Sequence, residues 1–162
     1  MDKIKFFIMD VDGTLTDGRI YMGNDGELMK AFNIKDGYGI HDILPCAGIT
    51  PVIITGRESE IVTRRCKEIG IHRIYQRVDD KVEALKSLIN EDGVSMNEVA
   101  YIGDDINDLS VMLLIKKGGG KTGCPSDAVP RIIAIADYVA DHRGGEGAVR
   151  DYIEWLISKE EK

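Results

Sequence analysis

The chain has few of the residues that cross-link, break or tether a protein. Its three cysteines, Cys46, Cys66 and Cys124, are an odd number, widely spaced and without a CxxC pair. That pattern argues against a disulfide framework or a thiolate zinc site, and reduced thiols in the cytoplasm are expected. His41, His72 and His142 stand alone and form no metal motif. Only four prolines interrupt 162 residues, of which 43% are hydrophobic, the balance of a globular chain rather than a disordered one. No run of Lys or Arg offsets the formal charge of -7, so no nucleic-acid partner is expected. Long apolar runs are missing too. About five apolar residues precede Asp10, fewer than a signal-peptide core needs, and nothing approaches a membrane span. The length suits a single domain over residues 1–162 with one core. An acidic protein that handled an anion would need local positive charge, from a metal or from a few Arg and Lys.

What the chain does have is alternation. Ile4 to Met9 is continuously apolar, as a parallel strand covered on both faces is, and Pro51 to Thr55, Arg73 to Gln76 and Val99 to Ile102 resemble it. Amphipathic stretches separate them: Gly39 to Cys46, Ser59 to Ile69 and Asp79 to Asn90. Asn107 to Leu114 opens another helix, and Glu146 to Ser158 reads as the last. This order predicts an α/β fold with a doubly wound, Rossmann-like parallel sheet. One segment breaks the rhythm. Arg19 to Met22, a four-residue turn at Gly23 to Gly26, and Glu27 to Phe32 read as a β-hairpin inserted directly after the first strand.

The chemistry-bearing residues fall at predicted strand ends. Asp10-Val11-Asp12-Gly13-Thr14 follows the first strand, and alternation puts the side chains of Asp10 and Asp12 on the same side. Two close carboxylates repel unless a cation or a shared proton compensates. Gly103-Asp104-Asp105-Ile106-Asn107-Asp108 ends a second strand just before a helix, and hard oxygen ligands in that number suit magnesium. A solvated helix start also favours Asp, so Asp105 alone decides nothing. Thr55-Gly56-Arg57 ends a third strand, where a hydroxyl and a glycine N–H can hold phosphate oxygens. Lys81, in the first turn of its helix, could neutralise both a nucleophile and phosphoryl oxygens.

In the order Asp-x-Asp, Thr, Lys, Asp-Asp-x-x-Asp, the four motifs resemble those of the haloacid dehalogenase superfamily of aspartyl phosphohydrolases. The resemblance implies that Asp10 attacks phosphorus and that Asp12 is the acid/base. Asp10, the backbone carbonyl of Asp12, and Asp104 would hold Mg2+. Asp105 and Asp108 would be outer or alternative ligands, and Thr55 and Lys81 would bind the phosphate.

Neither the span from Thr14 to Thr55 nor that from Lys81 to Asp104 has room for a cap domain, which most of that superfamily carries. A lone domain leaves an acyl phosphate open to water, so a neighbouring subunit is the expected lid. Residues 30–40, 52–76 and 143–150 are similar to those of the capless 3-deoxy-D-manno-octulosonate 8-phosphate phosphatases. That family implies a homotetramer whose hairpins associate and whose glycine-rich C-terminal segment can close a neighbour's site. It also implies a small sugar-acid phosphate as substrate, with Gly56, Arg57, Lys30 and Arg143 as candidate contacts, the last two across a subunit interface. Two rivals stand beside this reading: a phosphatase for a nine-carbon 3-deoxy-ulosonate 9-phosphate, and a non-catalytic tetramerisation module. The sequence departs from the family at Arg77, where glycine is usual, and at the Gly- and Lys-rich stretch 116–123. A P-loop at Gly120-Lys121-Thr122 is rejected because Ile115 stands where its first glycine belongs.

Overall fold

The apolar run after Lys5 becomes β1 (Phe6–Met9), with all four residues buried. In this computed structural model, which describes residues 3–160, β1 lies inside a six-stranded, wholly parallel sheet. Its companions are β4 (Thr50–Ile54), β5 (Arg73–Tyr75), β6 (Val99–Ile102), β7 (Lys121–Cys124) and β8 (Tyr138–Val139). The sheet order is β5-β4-β1-β6-β7-β8. From β1 the chain builds outward on one side through β4 and β5, then returns to β1's other edge with β6. The carboxyl ends of β1, β4 and β6 therefore meet where the winding reverses, which is where ligands bind in such sheets.

Burial on both faces explains why β1 is continuously apolar. Phe7 and Met9 belong to a core with Ile40, Leu44, Val62, Tyr152 and Ile153. Phe6 and Ile8 point the other way, into a core with Leu85, Leu88, Val111, Met112 and Ile132. The first layer comes from α1 (Ile34–Tyr38), a π-helical turn at Gly39–Ile43, α2 (Leu44–Cys46), α3 (Glu60–Glu68) and α7 (Ala148–Glu160). The second comes from α4 (Lys81–Asp92), α5 (Ile106–Lys117) and α6 (Pro130–Ile135).

The hairpin is present, as β2 (Tyr21–Gly23) and β3 (Gly26–Met29), but shorter than expected. Gly23 pairs with Gly26, so only Asn24 and Asp25 form the loop. The following helix starts at Ile34 rather than Gly39 because Asn33 caps it, accepting the Lys35 N–H at 2.8 Å. The last helix begins at Ala148 rather than Glu146. The stretch 116–123 runs into strand β7, and α6 and β8 complete a region in which no element was expected. Among the described residues no cap domain interrupts the sheet, and no helix is long and apolar enough to cross a membrane.

Candidate active site

Asp10 is the first residue past β1, and its N–H still donates to the Ile102 carbonyl at 3.1 Å. The amides of Thr14, Leu15 and Thr16 then converge on the Val11 carbonyl at 3.1, 2.9 and 3.0 Å, winding residues 11–16 into a tight turn. Gly13 takes a left-handed φ of 89°, and a Cβ there would fall on the Asp104 carboxylate. Glycine thus lets the β6 end close onto the β1 end. Thr14 fastens the contact, its Oγ1 donating to Asp104 Oδ1 at 2.9 Å.

Lys81 opens α4, which Asp80 caps by accepting from Val82 N and Glu83 N at 3.0 and 3.1 Å. Its ammonium is buried, 3.0 Å from Asp10 Oδ1 and 2.7 Å from Asp108 Oδ1. Asp108 is wholly buried and fully used: Oδ1 also accepts from the Tyr101 hydroxyl at 2.6 Å, and Oδ2 from Asp104 N and Asp105 N at 3.0 and 3.3 Å. Asp105 caps α5, with its carboxylate on Ile106 N at 2.7 Å. So the three aspartates of the second cluster divide their tasks. Asp105 starts the helix, Asp108 holds Lys81 and the loop, and Asp104 is left facing Asp10.

Oxygens of Asp10, Asp104 and Asp108 lie within 4.8 Å of one another. Burial, and then the neighbouring negative charge, raises the Asp10 carboxyl to about 6 and that of Asp104 to about 8. Burial pulls the Lys81 ammonium down, but Asp10 and Asp108 more than reverse this and hold it above its ordinary value. One ammonium cannot neutralise three carboxylates held this close together. A hard divalent cation can, and the exclusively oxygen donor set fits magnesium. Since both oxygens of Asp108 already accept hydrogen bonds, Asp10 and Asp104 are the side chains that fit it directly.

Above the carboxylates opens a cleft of about 390 Å3, walled by Thr55, Gly56 and Arg57 beyond β4 and by Asn107 on α5. Thr55 is buried, its carbonyl accepting Val78 N at 3.1 Å, whereas Arg57 is exposed. Asp12 is on the cleft wall too. Lys30 is not. Its ammonium lies against Asp12 of the same chain, 2.5 Å from Oδ1, and 3.0 Å from Glu27 Oε1. Arg143 is apart from the cleft, with 66% of its side chain exposed and Nε 3.5 Å from Asp127, beside a separate cavity of about 110 Å3. The glycines after it close on their own chain: Gly145 N donates to the Thr14 carbonyl at 3.2 Å, and a Cβ on Gly144 would fall on the Gly13 carbonyl.

Several participants escaped sequence reasoning. Tyr101 hides in an apolar strand, Thr14 passes for a turn residue, and Glu27 for a hairpin surface charge. Asn107, inside the Asp-rich motif, had the signal of its position.

Residues 67–153 match the model of the haloacid dehalogenase-like hydrolase family. The chain is 43% identical over 156 residues to the 3-deoxy-D-manno-octulosonate 8-phosphate phosphatase KdsC of Salmonella typhi, covering 96% of this chain and 80% of that protein. The crystal structure of the phosphatase of that name from Yersinia pestis superposes with a TM-score of 0.90 at 40% identity, covering 98% of this chain and 83% of that one. That from Moraxella catarrhalis, a complex with magnesium, phosphate and KDO, gives 0.88 at 41% identity, covering 96% and 86%.

Proposed function

The chain belongs to the haloacid dehalogenase-like hydrolases, among the 3-deoxy-D-manno-octulosonate 8-phosphate phosphatases, and from that premise we propose that it hydrolyses this sugar-acid phosphate through an aspartyl-phosphate on Asp10. The observation that carries the reading is the buried pair Asp10 and Lys81, with half-buried Asp104 beside them, beneath a cleft lined by Thr55, Gly56 and Arg57.

Asp10, Asp104 and the Asp12 carbonyl would hold Mg2+, which supplies positive charge to the phosphoryl oxygens. Lys81, the Thr55 hydroxyl and the Gly56 N–H bind those oxygens and orient phosphorus in line with Asp10. A carboxylate oxygen of Asp10 forms the new bond to phosphorus while the bond to the sugar oxygen breaks, and Asp12 gives that oxygen its proton. Asp12, now a carboxylate, takes a proton from water as the water oxygen attacks phosphorus. Inorganic phosphate leaves and the Asp10 carboxylate is restored. Arg57, exposed at the rim, is the contact we assign to the substrate's carboxylate.

We further propose that the whole chain, 1–162, acts as one domain within a homotetramer. Supporting this, the hairpin exposes Met22 and Leu28 at 65% and 67%, with Ile20 and Met29 beside them. A cytoplasmic setting accords with three unpaired cysteines. The decisive measurement is phosphate release from eight- and nine-carbon ulosonate phosphates and simple sugar phosphates, with magnesium. A preference for the octulosonate is expected, and equal rates on all would remove the substrate assignment. Asp10→Asn should lose on the order of 10³-fold or more in turnover while keeping its fold; wild-type turnover in that variant would end the mechanism.

A further inference from the structure

Lys30 is almost wholly buried, with 3% of its side chain exposed, yet it is outside the cleft that Asp12 helps to line. Burying an ammonium costs several kcal/mol unless well-placed partners offset it. Here the partners are Asp12 Oδ1 at 2.5 Å and Glu27 Oε1 at 3.0 Å. Glu27 belongs to β3, and its carboxyl, though burial raises it, is brought below its usual range by the adjacent Lys30 ammonium and by the charge of Arg57. The hairpin thus presents an anchored cation to one oxygen of Asp12. The other oxygen, Oδ2, remains for proton transfer.

The direction of this pull matters. Asp12 is two residues from Asp10, and a bound divalent cation would attract its carboxylate as well. The close-packed oxygens of the metal cluster come from Asp10, Asp104 and Asp108, and not from Asp12. We infer that Lys30 is a positioning residue: anchored by Glu27, it holds the Asp12 side chain toward the hairpin and off the metal, so that Asp12 stays free to shuttle the proton in both half-reactions. This rests on the phosphatase reading above and replaces the expectation that Lys30 touches substrate.

The two roles separate kinetically. Nitrophenolate leaves without a proton, so transfer of phosphate from p-nitrophenyl phosphate to Asp10 needs no acid, whereas hydrolysis of the aspartyl-phosphate still needs Asp12 as base. Lys30→Met should therefore show a burst of about one nitrophenolate per site, followed by turnover about 10²-fold below wild type. On the sugar-acid phosphate its kcat should fall as far, with KM within about threefold of wild type. Lys30→Arg, which keeps a cation on a long stem, should recover part of the turnover and serves as the test if Lys30→Met does not fold. A raised KM with kcat retained would make Lys30 a substrate contact and overturn the inference. Loss of the burst along with turnover would overturn it too, because Lys30 would then serve the Asp10 step. Absence of turnover in wild type would instead defeat the phosphatase reading itself.

Discussion

Arg77 stands at φ 55°, the only positive-φ residue among those described that is not glycine. A side chain there is strained, whereas glycine, the residue expected here from the family resemblance, adopts such a φ freely. Its exposed ion pair with Glu58, at 3.4 Å, offers little in return. Arg77→Gly should therefore stabilise the protein by about 1 kcal/mol, raising Tm by about 2–4 °C. A lower Tm would show that the ion pair outweighs the strain. The carboxylates give a second expectation. Asp10 at about 6 and Asp104 at about 8 both lie above their ordinary 3.8. The folded, metal-free chain thus keeps protons that the unfolded chain has already lost, so this contribution to stability is present at low pH and fades as pH rises through 6 and 8. Magnesium competes with those protons. The gap between Tm in magnesium and in chelator should widen from pH 6 to pH 8; an equal gap at both would disconnect the raised carboxyls from the metal site.

At the level of elements, the central strands were legible because burial on two faces demands unbroken apolar runs. Val99–Ile102 appears residue for residue, and the chemistry at the ends of β1, β4 and β6 followed from it. The far edge was not legible. Lys121-Thr122-Gly123-Cys124 is a strand because β6 offers it a ladder from Ala100 to Ile102, a partner that local composition cannot reveal. Nor could spacing show that Lys30 binds Asp12 across 18 residues, or that Arg143 lies away from the cleft. The segment before α7, expected from the resemblance to close a neighbour's site, packs within this chain against its own catalytic turn, a contact that spacing does not reveal. Gly144→Ala would drive a methyl group into the Gly13 carbonyl, so the segment must lift. A loss of about 1–3 kcal/mol is expected, with turnover falling further than the loss of folded protein explains. Unchanged melting and turnover would show that this contact is dispensable.

For the whole molecule, the hairpin divides its residues between two tasks. Glu27 and Lys30 turn inward to Asp12, while Met22, Leu28 and Met29 are exposed. Placing Asp at both 22 and 28 should shift the mass seen by light scattering toward the 17.9 kDa monomer and lower turnover. A full-size assembly after both changes would mean that the subunits meet elsewhere. The order of the strands carries one more consequence, for synthesis. β1 and the catalytic turn leave the ribosome before their partners, because the strands on either side of β1 begin at Thr50 and Val99, and the glycines that brace the turn are 144 and 145. Contacts of such long sequence separation cannot form vectorially. A nascent chain arrested before Gly144 would carry every proposed catalytic residue and still lack the brace on its catalytic turn.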